Sequence, residues 1–261
     1  MNPQQSFNPC FIIPAYNHPA TIGDIIAALE VHQLPCILVD DGCDASTQSV
    51  HQALSKQYDW VTLVRHSQNK GKGAAVKTAL HFAYLKGYSH AFQIDADGQH
   101  DLEAVERFLH VAEENPSALV VGYPLFDASV PKARYYGRYA THIWVWINSF
   151  SLAIKDSMCG FRVYPVTSTV FLLQNQQTGN RMEFDSEVLV RSVWRGQQVI
   201  NLPTQVSYPA DGVSHFQLKR DNVLITWMHF RCFWGMVWRL PSMLVRRMFK
   251  GIKRRRHGIE V

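Results

Sequence analysis

Short continuous apolar runs recur along the first half of the chain, separated by stretches in which apolar residues return every three or four positions. Cys10 to Pro14 predicts a buried strand, and Asn17 to Glu30 a helix with a proline near its start. Cys36 to Val39 predicts a second strand, stopped by Asp40-Asp41-Gly42, with a helix over about 46–57 behind it. A strand over 61–65, a helix over 72–86 and a strand at His90 to Ile94 follow. A helix from about Leu102 to Glu114 then leads to the run Ala118 to Gly122. Strand and helix alternate throughout, which predicts an α/β fold with a mostly parallel, doubly wound sheet. Ligands of such sheets bind beyond the carboxyl ends of the strands. Three polar loops fall there: Pro14 to Asn17, Asp40 to Asp44 and Asp95 to His100.

The third loop carries the strongest chemistry. Gly98 lets the chain turn, so Asp95 and Asp97 can converge at the strand end instead of pointing to opposite faces. Converging carboxylates repel unless a cation lies between them, and their hard oxygens suit Mg²⁺ or Mn²⁺ with a substrate phosphate. Asn69-Lys-Gly-Lys-Gly73 opens a helix with glycines and lysines, a pattern that favours phosphate at the exposed N–H groups. It has neither P-loop nor dinucleotide spacing.

Composition narrows the class. Forty-seven per cent apolar and 18% charged residues in 261 support one packed domain with an appendage. Five widely spaced cysteines, with no C-x-x-C pair, point to a reducing compartment and against a zinc or disulfide framework. The first residues show no signal-peptide pattern. The net charge of +5 is uneven, because the last 43 residues are strongly basic and the preceding body mildly acidic.

Taken in order, Pro14-Ala-Tyr-Asn17, Val39-Asp-Asp-Gly42, Asn69-Lys-Gly-Lys-Gly73, Asp95-Ala-Asp-Gly-Gln-His100 and Asp156-Ser-Met-Cys-Gly-Phe-Arg162 resemble family 2 glycosyltransferases. The branch is similar to the dolichol-phosphate mannosyltransferase type, with a finer likeness to bacterial transferases of lipid and aryl polyene pathways. Asp211 to Phe216 resembles the G-x-S segment that closes that catalytic domain. The resemblance implies a nucleotide-sugar-binding type A fold and inverting transfer of one sugar from a nucleoside-diphosphate sugar to a lipid-linked acceptor. It implies that Pro14, Tyr16 and Asn17 line the nucleoside pocket and that Asp41 accepts a hydrogen bond from the base. Asp95, Asp97 and Gln99 would hold the metal, with Lys72 adding positive charge. Arg134 and Arg138 would clamp a phosphate. Asp156 and Arg162 would lie near the donor sugar and the acceptor, with Cys159 as a small buried neighbour. Inversion onto a hydroxyl needs a general base, for which Asp185 is the best choice, whereas a polyprenyl-phosphate acceptor needs none. Asp185 and Glu187, two apart on a helix, cannot both face one site. The alternative outside enzymology is a scaffold that keeps the fold without the chemistry.

Residues 1–216 read as the catalytic domain and 217–261 as an aromatic, basic tail of amphipathic helices broken at Pro241. Arg231 within its apolar stretch argues against a bilayer crossing and for a helix lying in the interface. The expected partner is the anionic inner face of the cell membrane, contacted from the cytoplasm. The aromatic residues do not interleave along a polar groove, so no nucleic-acid partner is expected.

Overall fold

The computed structural model describes residues 6–125, 132–206 and 216–257, without the side chains of 132–137, 140 and 247–257. Residues 211–215 of the G-x-S segment, the side chain of Arg134 and the side chains of the last basic residues therefore lie outside the described set.

The first half alternates as its pattern predicts. β1 (Pro9–Ala15), α1 (Ile22–Leu29), β2 (Cys36–Asp40), α2 (Ala45–Gln57), β3 (Val61–Arg65), α3 (Lys72–Leu85), β4 (His90–Gln93), α4 (Val105–Glu114) and β5 (Leu119–Leu125) succeed one another. A second half adds α5 (Lys132–Ser149), β6 (Arg162–Pro165), α6 (Val166–Asn175), α7 (Phe184–Trp194), β7 (Val199–Gln205) and α8 (Leu218–His257). The seven strands form one sheet in the order β3-β2-β1-β4-β6-β5-β7. All pairings are parallel except those of β6, which runs antiparallel between β4 and β5. The sheet is thus α/β and mostly parallel. Its direction of growth reverses between β1 and β4, where a crevice opens at the carboxyl ends.

Alternation along β1 explains the two-sided core. Cys10 and Ile12 face α3, α7 and α8, whereas Phe11 and Ile13 face α1 and α4. α1 starts later than its pattern suggests because Asn17 adopts a left-handed φ of 53° and its Oδ1 accepts the Asp44 N–H. α2 starts at the Asp44 side chain, which accepts the Thr47 N–H at 2.8 Å.

The tail differs from expectation. It is one helix, and Pro241 lies inside it. Proline removes an N–H donor and disfavours a helix interior. Here the following turn stays docked, with Met243 buried and Arg246 donating to the Trp194 carbonyl at 2.7 Å. Met228, Cys232 and Met236 of α8 belong to the same core cluster as β1 and α7. No described helix is long and apolar enough to cross a membrane.

Candidate active site

The loop after β4, the start of α3 and the start of α7 meet at the crevice. Lys72 Nζ lies 2.7 Å from Asp95 Oδ2 and 2.7 Å from Asp185 Oδ2. One ammonium therefore bridges two carboxylates that are remote in sequence, and all three side chains are mostly buried. Burial alone would lower the Lys72 pKa, but Asp185 and Asp95 reverse this and raise it well above the usual lysine range. Burial would likewise raise Asp95, yet Lys72 and His100 hold its carboxyl far below the usual carboxylate range. Both groups stay charged across the physiological range.

A buried relay steadies this cluster from the sheet. Gln93 at the end of β4 donates from Nε2 to Asp95 Oδ1 at 3.1 Å and accepts the Tyr164 hydroxyl at 3.0 Å. Register explains the match, since Gln93 pairs with Arg162 and Ala91 with Tyr164 across the β4–β6 ladder. Burial pushes the Tyr164 hydroxyl up to about 12, so it serves as a donor. The backbone at Gly160 closes on Asp95 so tightly that an added Cβ would lie 1.9 Å from Oδ2. His100 contributes Nε2 at 3.9 Å from Asp95 Oδ2, and its Nδ1 is buried without a hydrogen-bond partner among the described residues. Asp97 Oδ1 accepts the Gln99 N–H at 3.0 Å, which shapes the turn at Gly98 (φ +69°).

Several of the expected site residues are engaged by the chain's own groups. Asp41 was expected to meet the nucleobase. Its Oδ1 pairs with His66 Nδ1 and the Lys70 N–H, and its Oδ2 accepts from Asn69 Nδ2 and the Gly71 N–H. A carboxylate offers about four lone-pair sites, so the chain's own groups fill this one. Asp41 pins the loop before α3. Arg138 was expected on a phosphate, but its Nε and Nη2 grip Asp156 at 2.5 and 2.7 Å. Asp156 also accepts the Met158 and Cys159 N–H groups, and His142 lies 3.3 Å away. Its carboxyl sits far below the ordinary range despite burial, held there by His142 and Arg138. Arg162 is fully buried and donates to the carbonyls of Cys159, Asp185 and Ser157. A buried guanidinium must fill its donors, so Arg162 ties the 156–160 loop to α7, with Nη1 3.8 Å from Asp185 Oδ1 of the crevice cluster. Cys159 is buried, and burial beside Asp156 pushes its thiol up to about 12, which suits a packing residue and not a nucleophile.

Pro14 is buried within β1, and Tyr16 and Asn17 are half-buried on the rim beside it. Asp185 and Glu187 diverge as helical spacing requires. Glu187 is fully buried and pairs with Arg191 and Arg231 on the side of α8. Asp40, Cys43 and His51 form a second tight group, whose ligand atoms lie within 4.8 Å of one another. Asp40 already accepts the Cys43 N–H at 2.8 Å and pairs with His51 Nδ1 at 3.1 Å. Burial pushes the Cys43 thiol up to about 12, and a protonated thiol is a poor metal ligand. This group closes the β2 loop and lies apart from the Asp95 cluster. The residues that sequence reasoning passed over are Gln93, Tyr164 and His100. Gln93 had one signal, a polar side chain within an apolar run.

The comparisons agree with the geometry. The model of "Glycosyl transferase family 2" matches residues 10–169. The chain is similar to the UDP-N-acetylglucosamine–dolichyl-phosphate N-acetylglucosaminyltransferase of Methanococcus voltae, 28% identical over 82% of this chain and 90% of that one. It is also similar to a dolichyl-phosphate beta-glucosyltransferase of Dictyostelium discoideum, 28% identical over 92% and 79% of the two chains. Among solved structures it resembles glucosyl-3-phosphoglycerate synthase from Mycobacterium tuberculosis, at a TM-score of 0.62, 16% identity and coverage of 87% and 80%. A mannosyltransferase from Pyrobaculum calidifontis, in complex with GDP-Man and Mn²⁺, matches at a TM-score of 0.56, 16% identity and coverage of 91% and 73%. The solved structures establish the type A fold, and the family match spans more than half of the sequence: this chain belongs to glycosyl transferase family 2, the nucleotide-sugar-dependent glycosyltransferases.

Proposed function

We propose that this glycosyltransferase moves one sugar, with inversion, from a nucleoside-diphosphate sugar to a polyprenyl-phosphate acceptor at the inner membrane face. The bridged cluster Asp95–Lys72–Asp185 at the reversal point of the sheet carries this reading. An ammonium beside carboxylates at a crevice rim suits a departing diphosphate, whose charge grows as the sugar leaves. Asp185, the candidate base, spends Oδ2 on Lys72, while its Oδ1 is buried without a hydrogen-bond partner among the described residues. A phosphate acceptor is already anionic and makes no demand on it, whereas a hydroxyl acceptor would. Several relatives are named for dolichyl-phosphate acceptors, which supports the same choice. Pro14, Tyr16 and Asn17 would line the nucleoside end.

The donor set at the loop after β4 fits a hard divalent ion, since Asp95 and Asp97 offer carboxylate oxygens and Gln99 an amide oxygen. Those three residues would hold Mg²⁺ or Mn²⁺. The ion would supply Lewis-acid neutralisation of the leaving diphosphate.

Residues 1–216 would form the catalytic region and 217–261 the membrane contact. α8 supports this with a second apolar stripe: Val223, Trp227, Phe230, Trp234, Val237 and Trp238 are exposed, at helical spacing. They lie half a turn from Met228, Cys232 and Met236, which pack inward. Ile143, Trp144 and Ile147 of the adjoining α5 are exposed as well. Tryptophan at headgroup depth with a basic helix end suits an anionic leaflet.

The test is transfer from a panel of nucleoside-diphosphate sugars, with and without Mn²⁺, to polyprenyl phosphate or to a neutral lipid alcohol. Metal-dependent transfer to the phosphate, retained within about tenfold in Asp185→Asn, is expected, because a base contributes 10²–10⁴-fold only where one is needed. Transfer to the alcohol alone, abolished in Asp185→Asn, would overturn the acceptor assignment. Failure of every nucleotide to stabilise the protein would overturn the enzyme reading itself; a donor at about 100 times its Kd should add about 2.7 kcal/mol.

A further inference from the structure

A cavity of about 350 Å³ lies where α8 crosses the ends of α6 and α7, lined by Gln176, Trp194, Arg195, Arg239, Ser242 and Arg246. It is not part of the crevice. α7 runs from Asp185 at the crevice to Trp194 at this cavity, a rise of about 13 Å at 1.5 Å per residue. The cavity wall is built, not incidental. Trp194 is 2% exposed and donates from Nε1 to the Asn148 carbonyl at 2.7 Å. Gly235 makes room for the ring, since a Cβ there would lie 2.7 Å from Cη2. The Arg239 guanidinium lies 4.9 Å over the same ring and donates to the Gly235 carbonyl at 3.0 Å. Arg246 is tied to the Trp194 carbonyl, and Arg195 lies 4.8 Å over the Phe171 ring.

The charge of this cavity is met by backbone carbonyls and by no described carboxylate. None of the three arginines has a carboxylate partner among the described residues, and the nearby Glu187 is taken by Arg191 and Arg231. Each of Arg239 and Arg246 uses one described nitrogen on a carbonyl, so most of their donors remain available. Gln176 Oε1 accepts from Arg191, which leaves its amide N–H₂ as a further donor. Three guanidiniums around one small space, with no acid among the described residues lining it, favour an anion. Guanidinium forks suit the oxygens of a phosphate.

We propose that this cavity binds a phosphate monoester, supplied by an anionic lipid headgroup. The attribution to a lipid rests on the membrane contact proposed for α8, while the anion site itself does not. Arg239 directly follows the outward Trp238, which is 83% exposed, and Arg246 follows Val245, which is 50% exposed. The cavity therefore opens on the flank of the same turns that carry the outward stripe, the level at which an interfacial helix meets headgroups.

The experiment measures binding of the full chain to vesicles of phosphatidylcholine containing phosphatidic acid, or phosphatidylglycerol at equal surface charge. Binding of glycerol 3-phosphate in solution is measured in parallel. Arg239→Gln/Arg246→Gln is compared with Lys219→Gln/Arg220→Gln, which removes the same charge from exposed positions at the start of α8. Ser242→Glu, an exposed substitution, adds a repelling charge without touching the core. A preference for phosphatidic acid of about tenfold is expected, together with competition by glycerol 3-phosphate. Both should be lost in the arginine pair and in Ser242→Glu and kept in the Lys219/Arg220 control. Loss of glycerol 3-phosphate binding in those variants, with no vesicle bound by any form, would uphold the site, assign it a soluble phosphate and defeat the membrane reading. Equal binding of both phosphate sources by the native chain and by Ser242→Glu would overturn the proposal, as would equal loss in the control.

Discussion

Two aspartates stand at the ends of the strands that flank β1 and have opposite surroundings. Asp41, after β2, is held by two backbone N–H groups and two side chains of its own loop region. Asp95, after β4, is held by the Lys72 ammonium, with Gln93 behind it. Backbone donors are fixed by the fold and cannot leave. An ammonium on a four-carbon stem can move to another anion when one arrives. Equal residues at equal rim positions thus divide into one that builds the site and one that remains available to a ligand. Charge alone does not separate them; the kind of donor does.

The largest expected effect tests this contrast directly. Asp95→Ala should reduce transfer about a thousandfold, ~4 kcal/mol of transition-state stabilisation, with a smaller loss of stability because Lys72 keeps Asp185 as a partner. Asp41→Ala should instead leave four donors without an acceptor and cost about 3 kcal/mol of stability. Steady-state transfer and thermal unfolding of both variants decide the matter, and matching profiles would erase the distinction.

A smaller effect sharpens it. Gly160→Ala places a methyl group 1.9 Å from Asp95 Oδ2, so the carboxylate and with it Lys72 must shift. Transfer should fall about tenfold or more, since misplacement by an ångström can cost 10²-fold. Donor binding by calorimetry should weaken in parallel, while nothing of the kind is expected from Gly23→Ala, where an added Cβ meets no atom within 4 Å.

The smallest effect concerns the docking of α8. His229 accepts a hydrogen bond from Asn148 Nδ2 at 3.0 Å, and burial lowers its pKa to about 4. The native state therefore keeps it neutral, whereas the unfolded chain takes up a proton near pH 6.5. Its contribution to stability is complete above pH 6.5 and is lost as pH falls toward about 4. His229→Asn should flatten that segment of the Tm–pH curve relative to the native chain. An unchanged slope would mean that this imidazole is protonated in the folded protein.

Alternating runs and polar loops in the first 125 residues were sufficient for the sheet class and for the loops that reach the crevice. Local pattern suffices there because each βα unit is a contiguous amphipathic segment. β6 was missed because it has only four residues, all buried, and one of them is arginine. Nothing local distinguishes Arg162 as a strand residue. It is tolerated because carbonyls from two separate segments reach its guanidinium. Pro241 misled for a similar reason, since docked contacts after it keep the helix continuous.

What the sequence determined by itself was the α/β alternation, the acidic loop after β4 and the aromatic, basic character of the tail. These follow from periodicity and residue type, which are local properties. Only the tertiary structure decided that Asp185 faces Asp95 across Lys72, that Arg138 answers Asp156, and that Asp41 is saturated. Pairing among charges depends on which distant segments the fold brings within about 3 Å, and hydrogen-bond strength falls steeply beyond that distance. No spacing along the chain encodes such an encounter.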